Sequence, residues 1–457
     1  MRYSMAEQTA PTFDPAAEHQ QKPKLRKIRG FPLPMQGPEG KQLVMLGLAD
    51  AQQISDKIVA TQPASQAILP LMDGSRSLDD LISEVGKGLS REYLEPFVAQ
   101  LDQAGLIEGP AFAEMLAEMK TRFDESDTLP PGVTVQVADQ LVMAKLGQDA
   151  TDEQKDEHGP VEMKKMFDAW IDAALKDVDD PSFDALPAAV VAPHTDYPRG
   201  WINYAHIYGR LRVTDRPDRI VILGTNHFGS ATGVCGSNKG YESPLGVSPL
   251  DSALVEALNA SLGDENAEKL FENRYDHERE HSIELHVPWI QHCLGANEDG
   301  SHIPIFGALI HDPTVNEGES YDGNGLALDP FVDALRAALD AVGGTTLVIS
   351  SADLSHVGPA FGDQQPLAGE DEAAVTAERE RVTTHDREML KLLVDNKPDD
   401  LLSSMTWQQN PTRWCSIGNL IATMRLVKPE TIRQIGYAAA VDPKGAAMVS
   451  HAAMMMS

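Results

Sequence analysis

Cysteine is scarce in this chain: three residues in 457, at Cys235, Cys293 and Cys415, none in a C-x-x-C pair. An odd, widely spaced set excludes a disulfide framework and fits a reducing compartment. Positive charge is scarce too, since 38 Lys and Arg face 69 Asp and Glu for a net charge of −31. That balance excludes a general nucleic-acid binder and a polybasic membrane-surface protein, both of which need Lys and Arg in excess. Long apolar runs are missing: no stretch reaches the roughly eighteen residues that a membrane span needs. The segment 1–27 is polar with a basic end and has no apolar run of signal-peptide length. These absences predict a cytoplasmic protein with neither a membrane nor a nucleic acid as partner.

What is present is a soluble globular composition, 42% apolar and 23% charged, in a chain too long for one ordinary core. Residues 1–28 are polar and irregular and read as a disordered tail. A first domain is expected over 29–123. It holds a short strand at 42–48, a helix opened by Ser77 with Asp80 at the third position of a capping box, and a second helix after Ser90. The second helix carries a Tyr93, Phe97, Leu101 stripe that ends at Gly105. Residues 124–160, acidic and then polar with Pro130 and Pro131, read as a linker with one helix in it. An amphipathic helix over 161–178 then opens a second domain, 161–457. From Ala188 apolar strands at 188–192, 219–223, 303–310 and 345–350 alternate with helices, and a hairpin-like pair, 434–441 and 446–453, closes the chain. This pattern predicts an α/β fold, a mostly parallel central sheet flanked by helices with an antiparallel edge.

Chemistry concentrates at 275–286, where three histidines, three glutamates and an aspartate fall together just before the helical stripe Ile283, Val287, Ile290, Leu294. His277 to His281 also fits H-E-x-x-H, in which two histidines hold zinc and the glutamate activates water. Arg279 and Glu280 fill a gap that zinc peptidases usually leave uncharged, and a solvated acidic turn before an ordinary helix explains the same string. Three predicted strands end in a histidine: His194, His227 and His356. Carboxyl ends of strands border the ligand crevice of an open α/β sheet, so these residues can meet although they are far apart in sequence.

Five strings carry a family likeness: A-P-H-T-D-Y at 192–197, I-L-G-T-N-H at 222–227, E-H-S-I-E-L-H at 280–286, S-S-A-D-L-S-H at 350–356 and W-C-S-I-G at 414–418. In order and spacing they resemble the Memo family, whose fold is similar to that of the class III extradiol dioxygenases, over about 185–455. The resemblance implies metal ligation by His194, His227 and Cys415. It also implies a general acid/base at His356 with Asp353 three residues before it, and a pocket lined by His281 and Glu280. The chain departs from the family pattern at Thr195-Asp196 in place of A-G, at Phe228 in place of a second histidine, and at 416–419 in place of G-R-H-P.

Two imidazoles and a thiol suit iron or copper, with zinc as a further candidate. Cys415 also fits a buried structural thiol, and His277, His286 and His292 read as surface or supporting residues. The expected activity is a metal-dependent oxidoreductase, of dioxygenase type, on an unknown small molecule or peptide. The alternative is a non-enzymatic peptide- or metal-binding protein on the same scaffold. Residues 40–110, with a D-G turn and a terminal A-G-L-I, resemble PqqD-type winged-helix peptide-binding domains, which implies a peptide partner for the first domain. A small helical domain of no particular partner fits the same pattern.

Overall fold

The computed structural model describes residues 11–36, 42–86, 88–365, 367–369 and 372–457. The chain divides into two compact units, Met1–Glu125 and Ser126–Ser457. In the first, α1 (Glu18–Gln21) precedes an antiparallel sheet in the order β1 (Ile28–Gln36), β2 (Gln42–Asp50), β3 (Ile58–Thr61). Helices α2 (Leu78–Val85), α3 (Arg91–Gln103) and α4 (Pro110–Glu125) follow. The expected capping box is present, with the Ser77 and Asp80 side chains each bonding the other's backbone N–H. Leu48, Leu78, Leu81, Leu94 and Leu101 close the core.

The described part of the expected disordered tail, from residue 11, is ordered by partners far along the chain. Leu25 N donates to Met72 O at 2.8 Å, and the buried Arg26 guanidinium meets Asp50 at 3.0 Å. The segment lacks hydrophobic periodicity because it is held by backbone bonds, by His19 and Gln20 on Asp102, by the Arg26 ion pair, and by scattered apolar residues such as Phe13 and Leu25 on the core. Residues 1–10 of that tail lie outside the described ones. Strand β1 also escaped the sequence pattern. It carries Pro32 and Pro34, which a strand tolerates at a sheet edge, and β1 is an edge strand.

The second unit opens with β4 (Thr128–Leu129), α5 (Val133–Leu146) and α6 (Asp152–Leu175). The segment read as a linker is therefore mostly helix. Its polar run is the solvated side of α6, which Thr151 caps with Gln154, and Gly159 lets the helix approach Ala138 of α5. Then come β5 (Ala189–Ala192), α7 (Tyr197–Leu211), β6 (Arg219–Thr225), β7 (Cys235–Gly236), β8 (Gly240–Ser243), β9 (Gly246–Ser248) and α8 (Ser252–Glu272). They are followed by α9 (His281–Glu284), α10 (Val287–Leu294), β10 (Ile305–Ile310), α11 (Leu328–Val342), β11 (Thr346–Ser351) and β12 (Asp353–Val357). The chain ends with α12 (Glu372–Val394), α13 (Pro398–Gln408), α14 (Ile417–Val427), β13 (Ile432–Val441) and β14 (Met448–Met456).

The central sheet runs β12-β14-β5-β11-β6-β10-β7, with β13 also paired to β14. Strands β5, β11, β6 and β10 are mutually parallel, while β12, β13, β14 and β7 pair antiparallel. The sheet is thus mixed, not mostly parallel. Part of the difference lies in 353–357, beyond the predicted strand 345–350, which is a separate strand, β12, with Asp353 opposite His451 of β14. β5 is buried along its whole length, as are six of the seven residues of β6. That placement explains their apolar runs.

Candidate metal centre

β5, β6 and β11 end side by side, and the residues beyond them enter one crevice. His194 follows β5 after Pro193, His227 follows β6 by two residues, and Cys415 lies in the loop before α14. Their ligand-capable atoms fall within 4.8 Å of one another. The sulfur stands 3.3 Å from His194 Nε2, and the rings of His194 and His227 are 5.1 Å apart, edge to face.

Hydrogen bonds choose the tautomers. Ser351 Oγ donates to Ser282 O at 2.6 Å, so it accepts from His194 Nδ1 at 2.9 Å and leaves Nε2 as a lone pair facing Cys415. His227 Nδ1 donates to Glu280 Oε1 at 3.0 Å, which frees its Nε2 in the same way. Glu280 is fastened further by His227 N at 2.8 Å, Ser282 N at 2.9 Å and His281 Nδ1 at 3.3 Å. Gly224 makes this packing possible, since a Cβ there would lie 2.6 Å from the Ser282 hydroxyl that bonds Thr225 N and O.

The electrostatics follow burial and neighbours. Burial, then the imidazoles of His227, His281 and His356, hold His194 well below its ordinary value and keep it neutral, the form that ligates a metal. At His227 burial also opposes charge, but Glu280 and the Cys415 sulfur outweigh it and raise the ring. Burial alone would raise Glu280, yet His227 and His281 draw it down to about 2. His281 and His356 are both lowered, chiefly by burial.

His356 is on β12, with Nδ1 donating to Leu354 O at 2.9 Å and Arg413 O at 3.2 Å, so its Nε2 is the free nitrogen. Asp353, on the same strand, accepts His194 N at 3.1 Å. Phe228 stands 5.8 Å from the His227 ring, and Phe361 stands 5.3 Å from His356. The structure therefore brings His194, His227, Cys415, Glu280, His281, Asp353 and His356 together. It separates His277, whose Nε2 bonds Cys235 O at 3.1 Å and whose Nδ1 meets Tyr241 OH at 3.3 Å. The H-E-x-x-H reading fails for that reason: its first half is a 3-10 turn over Arg274–Arg279, not a helix presenting two rings on one face. Glu284 of the 280–286 string serves α5, accepting the N–H groups of Gly132, Val133 and Thr134. Cys235 and Cys293 are buried.

Sequence reasoning missed Ser351 and Ser282, which orient His194, and Asn419, whose amide bonds Ser351 O at 2.6 Å and Thr225 Oγ1 at 2.9 Å. The first two lie inside the strings singled out above, where small hydroxyl residues beside a strand-end histidine were the available signal.

A mixed α/β sheet whose strand ends gather two tautomer-locked imidazoles and a thiol defines a protein with a candidate metal centre. The donor set fits an ion of intermediate or soft character, and at His227, whose ring is raised, such an ion would take the place of the proton on Nε2. The Memo-like protein family model matches residues 156–455, well over half of the chain, and the chain belongs to that family. Among its relatives, the MEMO1 family protein of Desulfurococcus amylolyticus is 33% identical over 184 residues, 39% of this chain and 58% of that protein. The MEMO1 family protein MK0963 of Methanopyrus kandleri is 28% identical over 204 residues, 44% of this chain and 65% of that protein. The chain thus spans less than two thirds of the length of either. The MEMO1 family protein of Aquifex aeolicus is 23% identical over 404 residues, 85% of this chain and 87% of its own length.

Proposed function

We propose that the protein is a metal-dependent oxidoreductase in which His194, His227 and Cys415 hold iron or copper, with zinc as a further candidate. The observation that carries this reading is the pair of second partners, Ser351 and Glu280, which commit both imidazoles to presenting Nε2. When bound, such an ion supplies electron exchange and Lewis acidity, the basis of dioxygenase-type chemistry. The protein's own part is then positional and protonic. His356 Nε2 accepts a proton from substrate and returns it, while Leu354 O and Arg413 O keep Nδ1–H fixed. Asp353 stabilises the imidazolium that forms, since its charge favours a proton on His356 against the effect of burial. His281 and Glu280 line the same crevice and hold His227 in place. The substrate is a small molecule or a peptide. The test is metal content of wild type and His194→Ala purified without oxygen. Stoichiometric metal in the first and a loss of most of it in the second is expected, and equal, negligible metal in both ends the reading.

A second reading, a peptide- or metal-binding protein on this scaffold, is favoured by Phe228, an apolar ring 5.7 Å from His281 where the family pattern has an imidazole. Oxygen uptake with catechols separates the two, since a binder shows none. The proposed cytoplasmic location rests on the few, unpaired cysteines; no helix among the described residues is long and apolar enough to cross a membrane. The three-stranded sheet and helices of the first unit support a PqqD-type winged-helix module with a peptide partner. Selection of displayed peptides on the full chain that enriches no sequence would end that part.

A further inference from the structure

We infer that Asp386 is a positioning residue for the candidate centre, a buried carboxylate that sets where Cys415 and His356 sit. It lies on α12, outside every string the sequence singles out, and its exposure is 0%. Four side chains donate to it. Ser355 Oγ at 2.5 Å and Trp414 Nε1 at 2.8 Å share Oδ1, whereas Ser450 Oγ at 2.6 Å and Tyr437 OH at 2.7 Å share Oδ2. Ser355 directly precedes His356, and Trp414 directly precedes Cys415. One oxygen thus holds the two chain segments that bear the proton-moving ring and the sulfur.

The neighbouring residue on α12 adds a third link. His385 Nδ1 lies 3.2 Å from Thr412 Oγ1, and Thr412 O accepts His356 N at 2.8 Å. The cysteine loop needs such holding. Gln409, Asn410 and Arg413 have φ of 59°, 46° and 57°, a left-handed backbone that side-chain-bearing residues rarely adopt. A short segment in that shape persists only when its surroundings over-determine it. A fourfold-bonded internal carboxylate supplies that determination, with the indole N–H as its direct grip on the loop.

This inference rests on the proposed metal site for its meaning, but its first readout needs no metal. The four donors divide naturally into a test and a control. Trp414→Phe removes an Oδ1 donor joined to the cysteine loop, and Tyr437→Phe removes an Oδ2 donor that is not. In the metal-free full chain the alkylation rate of Cys415 by iodoacetamide is followed by peptide mass spectrometry, with Cys235 and Cys293 buried and slow. In the metal-loaded chain cobalt(II) is titrated and its thiolate charge-transfer band recorded. Trp414→Phe is expected to change the alkylation rate at least threefold and to weaken cobalt binding about tenfold or more. Tyr437→Phe should leave both within twofold while lowering the melting temperature. Equal effects of the two variants, or no effect of Trp414→Phe, overturn the inference. Should Trp414→Phe fail to fold, Ser355→Ala removes the other Oδ1 donor and is read by the same criteria. If the wild type binds no cobalt, the metal reading fails by itself and the alkylation comparison still decides the role of Asp386.

Discussion

His286 makes the second unit sensitive to mild acid. The ring is 0% exposed, its Nδ1 meets Tyr208 OH at 2.7 Å, and its Nε2 has no hydrogen-bond partner among the described residues. A proton added there would be a buried, unmet charge, so burial lowers the group from 6.5 to about 3. In the unfolded chain the same ring titrates at its ordinary value. Below that value the unfolded state binds the proton and the native state refuses it, so stability is full above 6.5 and drains as pH falls toward about 3. At pH 5 the unfolded state has gained about 1.5 pH units of protonation, or about 2 kcal/mol at about 1.36 kcal/mol per unit.

Other groups titrate in the same window. His277, lowered to about 4 by burial, adds a loss of similar size, and His194, His281 and His356 act in the same direction. His227, raised, acts in the opposite one: its contribution is full below its unfolded value and is lost as pH climbs through its native value. The difference between wild type and His286→Gln isolates the single ring. Glutamine keeps a partner for Tyr208 but does not titrate, so the variant should cost about 1–2 kcal/mol at pH 7. By pH 5 it should have recovered about 2 kcal/mol relative to wild type. Urea unfolding followed by tryptophan fluorescence reads this unit alone, because all five tryptophans, at 170, 201, 289, 407 and 414, lie within Ser126–Ser457. A gap between the two proteins that stays constant from pH 7 to pH 5 refutes the argument.

Ser351→Ala removes the acceptor that commits His194 to its Nδ1–H tautomer, and metal affinity by competition titration should fall about 10- to 100-fold; unchanged affinity would show that the hydroxyl does not orient the ring. Glu284→Gln takes the charge from the carboxylate that receives the first N–H groups of α5, at a cost of about 1–3 kcal/mol. Hydrogen exchange of the amides at 133–136 should speed up accordingly, and equal protection in both proteins would contradict the capping role.

The candidate site and the fold were legible to different depths. His194 and His227 stood out because buried strands must be apolar runs, so the polar residue that ends one is visible at once. Cys415 has no such local frame and was singled out by family likeness. The capping box at Ser77 was legible because both its partners are three residues apart. Elsewhere locality misled. The polar run before Pro160 reads as linker, yet it is the wet face of a helix whose apolar side packs on α5. Asp353 to Val357 reads as the continuation of the strand at 345–350, and is a separate antiparallel strand only because β14, nearly a hundred residues later, lies beside it.

By itself the sequence determined which segments are buried and where the chemistry-bearing side chains leave them, since spacing along the chain reports the face a residue presents. Only the tertiary structure decided the hydrogen bonds that aim those side chains: Ser351 to His194, Glu280 to His227, Asp386 to the flanks of Cys415 and His356. The physical reason is that a hydroxyl or carboxylate looks alike at every position of a sequence. What distinguishes these few is the donor or acceptor that the fold brings to them, in these cases from 28 to 157 residues away.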